Sequence, residues 1–136
     1  MRPIIIMTKP LALYLIMLCS PVAAQDAMTA EEFDAHVTGR TITFRTDLNP
    51  VYGIERYMSG RRVMWSSVEG ICQYGVWFES KGDICFRYEG DPEHKCWTIY
   101  DDPGGIRGVY TTRAPFTVIH EEPDRDDPLI CHDLSS

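Results

Sequence analysis

From Arg40 onward the chain is a succession of short runs that alternate apolar and polar side chains, separated by turn-forming residues. Period-two alternation bounded by Gly, Pro, Asn and Asp is the signature of β-strands, and no long helix fits it. The runs are residues 40–46, 52–58, 61–67, 71–79, 84–89, 95–101, 106–112 and 116–121. Because the joints are short, successive strands are expected to pair antiparallel as a meander. About eight strands in roughly 80 residues predict an all-β domain, either a small barrel or a strongly curled sheet. A two-sheet β-sandwich is the alternative.

One short N-terminal helix precedes the strands. Thr29 can cap it and Glu32, three residues on, completes a capping box. Met28 and Phe33 can form a hydrophobic staple, Phe33 and Val37 share a face, and Gly39 suits the C-terminal end. The helix is predicted at about residues 30–38.

Alternation also assigns faces. Ile42 and Phe44 share one side of the first strand, Ile84, Phe86 and Tyr88 one side of the fifth, and Trp97 and Ile99 one side of the sixth. Cys85 and Cys96 fall on the opposite, more polar side of neighbouring strands, which predicts a Cys85–Cys96 disulfide. Cys72 and Cys131 remain to pair with each other, and that bond would tie the C-terminal tail to the fourth strand. In the loop-entropy account the shorter link contributes roughly 3 kcal/mol and the longer about 4 kcal/mol.

Disulfides require an oxidising compartment, and the N-terminus predicts one. Arg2 and Lys9 form a basic segment, residues 11–18 are uninterruptedly apolar, Pro21 breaks the run, and Val22-Ala23-Ala24 supplies a cleavage site. Residues 1–24 are therefore read as a signal peptide, residues 25–121 as one β domain, and residues 122–136 as an acidic, extended tail. The apolar run falls short of the roughly 20 residues of a spanning helix, so no membrane span is expected after cleavage. Cys19 follows Ile16, Met17 and Leu18 instead of the small residue a lipid-attachment site needs. The expected location is the periplasm or the exterior.

Charge and motifs narrow the chemistry. The 136 residues carry a net charge of -7. Removing residues 1–24 takes away two of the 13 basic residues and none of the 20 acids, leaving -9. A chain so acidic is a poor nucleic-acid binder. The cysteine spacings of 13, 11 and 35 fit no zinc knuckle, and the acids at 124–127 lack a calcium-loop pattern. His36, His94, His120 and His132 have no ligand or catalytic spacing. No cofactor, metal site or catalytic residue is predicted.

The most distinctive stretch is 52–65, where Tyr52, Arg56, Tyr57, Arg61, Arg62 and Trp65 cluster on two neighbouring strands. Arginine and aromatic residues dominate interface hot spots, so these six are the candidate binding residues. The plainer alternative puts Trp65 in the core and pairs the arginines with surface acids. Trp77 and Trp97 are expected in the core, although tryptophans can also line a ligand cavity.

The pattern Tyr52-Gly53-x-Glu55-x-Tyr57, Arg61-Arg62-Val63-x-Trp65, Gly70-x-Cys72-x-x-Gly75-x-Trp77, Ile84-Cys85-Phe86-x-Tyr88-Glu89 and Cys96-Trp97 resembles small exported proteins of Gram-negative bacteria that carry no assigned function. The resemblance covers about residues 28–100 and implies export and a disulfide-bonded β-fold. It brings no catalytic residue.

The expectation is a non-catalytic periplasmic or secreted β-protein that binds another protein or an envelope component. The alternative is a small-ligand carrier with a cavity lined by Trp65, Trp77 or Trp97. A hydrolase using the polar residues between His120 and Asp133 is the weakest reading.

Overall fold

The structure is a computed structural model and describes residues 1–6 and 18–132. Most of the apolar run expected of a signal peptide, and Asp133, lie outside the described residues. No helix among the described residues is long and apolar enough to cross a membrane.

Helix α1 (Ala30–Val37) leads into eight strands: β1 (Thr41–Arg45), β2 (Gly53–Met58), β3 (Arg62–Ser67), β4 (Cys72–Ser80), β5 (Asp83–Tyr88), β6 (Lys95–Asp102), β7 (Gly105–Tyr110) and β8 (Val118–Glu121). Each strand pairs antiparallel with the next, and β8 returns to β1 through Phe44 opposite Glu121 and Arg45 opposite His120. The barrel is closed, so the sandwich does not occur. Closure leaves no sheet edge unpaired.

The capping box forms as its spacing implies. The Glu32 N–H donates to Thr29 Oγ1 at 3.2 Å and the Thr29 N–H donates to Glu32 Oε2 at 2.8 Å. The helix ends at Val37 rather than 38, and Gly39 follows with φ +84°, a conformation that glycine adopts without steric cost. Its N–H donates to the Tyr57 carbonyl, turning the chain into β1.

Each strand differs from its expected range by one or two residues at one end or both. Arg61 belongs to the turn at Ser59–Arg61, and Phe116 and Thr117 precede β8. Both places lie beside turns, where alternation gives no stop signal.

Because every strand reverses direction, the turns after β2, β4 and β6 gather at one end of the barrel, and the longer loops 46–52, 68–71, 89–94 and 111–117 gather at the other. Helix α1 lies across the first end. Its N-terminal side is held by the Met28 N–H donating to the Ile99 carbonyl, and its C-terminal side by Gly39. Phe33 points into the barrel, fully buried, with its ring edge-on to Tyr57, Trp77 and Phe86 at 5.0–6.5 Å between centroids. Edge-to-face geometry of this kind suits the ring quadrupole.

A buried carboxylate fastens the helix. Glu121 accepts from His36 Nε2 at 2.6 Å, Arg40 at 2.5 Å and the Ile106 N–H at 3.0 Å. Burial alone would push its carboxyl up, but the Ile106 N–H, His36 and Arg40 outweigh burial and hold the pKa below the ordinary value.

Both disulfides pair as expected, Cys85 with Cys96 directly opposite on β5 and β6, and Cys72 with Cys131. Among the described residues the tail after β8 has no helix or strand, and it is fixed along the outer wall. Thr43, Ile54, Ser66 and Cys72 stand side by side across β1 to β4, on the face turned away from the lumen. Thr43 Oγ1 donates to Asp127, Ser66 exchanges two hydrogen bonds with the Ile130 backbone, and Cys72 bonds Cys131. Thr43, Ile54 and Ser66 are consequently as buried as the core. Asp127, in the stretch expected as an acidic, extended tail, is therefore a fixed acceptor.

Candidate ligand cavity

The inward faces of the strands do not fill the barrel completely. A cavity of about 130 Å³ remains, with Phe33 and Tyr57 toward α1 and the half-exposed Tyr52, Gln73 and Lys95 toward the long loops. Phe44, Trp65, Phe86, Tyr88 and Trp97 make its walls. A dry protein cavity of about 150 Å³ accommodates benzene, so this space has the size class of one small ring.

Alternation explains the lining. Tyr57 and Glu55 share the inward side of β2, Trp65 that of β3, Phe86 and Tyr88 that of β5, and Trp97 and Ile99 that of β6. Gly53 lies beneath the indole of Trp65, and a Cβ at Gly53 would stand 2.1 Å from a ring carbon. The absence of a side chain there lets Trp65 lie along the wall, 5.7 Å from the Tyr52 ring centroid.

Glu55 is the exception among these lining groups. It is 1 % exposed, and Oε1 accepts from the Tyr88 hydroxyl at 2.9 Å. Oε2 is buried with no hydrogen-bond partner among the described residues. Burial pushes this carboxyl well above its ordinary pKa, and the Tyr88 hydroxyl only partly opposes that. Tyr57 and Tyr88 are likewise raised, by burial first and then by Glu55, so both phenols stay protonated at neutral pH. Near the long loops, Lys95 Nζ lies 3.0 Å from Asp91 and 3.5 Å from Glu93. Burial lowers its pKa, but these carboxylates prevail and the amine is held above its ordinary value.

The residues of 52–65 divide between two surfaces. Tyr52, Tyr57 and Trp65 come together at the cavity. Arg56 and Arg62 face outward and are exposed, with Arg62 donating to the Ser59 carbonyl at 3.0 Å. Arg61 turns over the Trp77 ring, 4.3 Å from its centroid, near the α1 end. None of the three arginines forms an ion pair with a described acid. Of the three tryptophans, Trp65 and Trp97 border the cavity and Trp77 does not, being packed against Phe33.

Glu55, Tyr88, Gln73 and Lys95 were not singled out by sequence reasoning. A signal did exist for Glu55, because alternation places it on the same face as Tyr57. No cluster of metal-ligating side chains occurs among the described residues. Comparison with known proteins gives no match to a family model, to a curated protein or to a solved structure.

Proposed function

We propose that this protein is a non-catalytic carrier that holds a small, apolar-bodied ligand inside its barrel, in the periplasm or outside the cell. The observation that carries this reading is Glu55 Oε2, a carboxyl oxygen without a partner among the described residues, bordering an aromatic-walled cavity. An unsatisfied buried polar atom costs about 1–3 kcal/mol, and native proteins retain few of them. A ligand that supplied the missing partner would recover that cost, and ligand sites combine apolar walls with a few placed polar groups in this way. The two disulfides and the signal-like residues 1–24 support an oxidising location. So does the resemblance to small exported Gram-negative proteins.

Titration with toluene, followed by tryptophan fluorescence, tests the reading. Trp65 and Trp97 should report a saturable change, and Ile99→Phe, which fills the lumen, should abolish it. Linear, unsaturable quenching would exclude a lumen carrier.

A second reading, binding of a protein or an envelope component, is favoured by an outer groove of about 540 Å³ bordered by Arg62, Tyr74, Val76 and Arg87. Joint replacement of Arg62 and Arg87, which border the groove, by alanine should then weaken capture of a partner. Unchanged capture by a variant that folds normally would discard that surface.

A further inference from the structure

We propose that the ligand of the lumen is a small organic cation, an ammonium on a body about the size of one ring, with its nitrogen against Glu55 Oε2. This inference rests on the carrier reading and names its ligand class.

Three observations converge on it. The first is what Glu55 lacks. Its Oε1 already accepts from Tyr88 and Oε2 has no partner among the described residues, so once the group is ionised one carboxylate oxygen is free to accept from an N–H donor. The second is the wall. Phe44, Tyr52, Trp65, Phe86 and Trp97 surround the space, and ring faces attract cations and repel anions. Lys95, the cation that also borders the cavity, is already engaged by Asp91 and Glu93.

The third is the entrance. The long loops carry Asp47, Glu69, Glu89, Asp91 and Glu93, five acids against the three cations paired with them, Arg45 with Asp47, Lys95 with Asp91 and Glu93, and Arg113 with Glu93, so an acidic excess remains. A mouth of that sign concentrates cations and turns anions away. An anionic ligand would therefore be opposed at the entrance and by the ring faces of the wall.

The proton balance follows from the same geometry. In the empty lumen burial favours the protonated form of Glu55. An arriving R–NH3⁺ favours the carboxylate, so the Glu55 O–H bond breaks, the proton leaves to solvent, and the product is R–NH3⁺ against Glu55–COO⁻.

The test compares three near-isosteric probes on the disulfide-bonded protein: benzylammonium, benzyl alcohol and benzoate. Calorimetry at pH 7 in phosphate and in Tris, whose ionisation enthalpies differ, counts the protons. Benzylammonium should bind roughly thirtyfold more tightly than benzyl alcohol, the factor of one charge-assisted hydrogen bond to Glu55, and release protons that benzyl alcohol does not. Benzoate should not bind. Glu55→Gln should erase both the preference and the proton release while benzyl alcohol still binds. The ranking of probes on the unaltered protein stands as a test even where that variant fails to fold.

Equal or tighter binding of benzyl alcohol or benzoate would overturn the cation while leaving the carrier reading intact. If none of the three probes, nor toluene, saturates, both readings fail together.

Discussion

The Tyr88 hydroxyl donates to Glu55 Oε1 at 2.9 Å and so joins β5 to β2 across the lumen, although those strands share no ladder. It is a tie through the interior of the barrel and not along its wall. It also leaves the other oxygen of Glu55 buried without a partner among the described residues.

Glu55 should make the protein less stable as pH rises. Its folded pKa lies above the unfolded value of about 4.3, so the folded state binds more protons than the unfolded state between the two. Stability therefore declines upward from about pH 4.3 toward the raised pKa. Glu55→Gln removes this contribution, so its stability relative to the parent should increase between pH 4.5 and pH 7 in urea melts. A difference that stayed constant with pH would refute the assignment.

Glu121 should act with the opposite sign. Its folded pKa lies below the unfolded value of about 4.3, so its contribution is complete above that pH and is lost as pH falls through the folded pKa. Glu121→Gln should cost about 1–3 kcal/mol at pH 7 and less in acid, because the variant keeps an acceptor but not the charge that engages His36 and Arg40. Hydrogen exchange should quicken first in α1, which this carboxylate fastens. Uniform acceleration across all strands would mean that Glu121 supports the barrel and not the helix.

Gly53→Ala should displace Trp65. The added methyl would stand 2.1 Å from the indole, so the ring must leave the wall, at an overpacking cost of about 1–3 kcal/mol. Tryptophan emission should change and toluene affinity should fall. An unchanged emission spectrum would show that Trp65 does not rest on Gly53.

Joint replacement of Cys72 and Cys131 by alanine should cost about 4 kcal/mol, against roughly 3 kcal/mol for Cys85 and Cys96, because the longer link constrains the unfolded chain more. Releasing the tail also uncovers Thr43, Ile54 and Ser66, so protease sensitivity between residues 122 and 131 should rise while the β-sheet circular dichroism persists. A tail that stayed protected without the bond would show that Asp127 and Ile130 suffice to hold it.

Local chemistry made much of this molecule legible in its residues. The capping box at Thr29 and Glu32 involves contacts three residues apart, and the strand faces follow from period-two geometry, so neither needs the rest of the fold. The Cys85–Cys96 bond was legible for the same reason, since a hairpin places its two sides together. The aromatic half of the 52–65 cluster was legible as special, and its alternation sends Tyr57 inward with Glu55.

Other features depended on segments far apart in the chain. Thr43, Ile54 and Ser66 read as ordinary members of an outer strand face, and they are buried only because residues 127–131 return over them. The separation of Arg56 and Arg62 from Tyr52, Tyr57 and Trp65 arose when the barrel closed and turned one composition cluster into an inside and an outside. The cavity is the difference between the space that eight paired strands enclose and the volume of the side chains within it. The unpartnered Glu55 oxygen depends likewise on which distant groups reach it, and of those bordering the lumen only Tyr88 does. Alternation set the side of each strand on which a residue lies, and tertiary closure decided what that side meets.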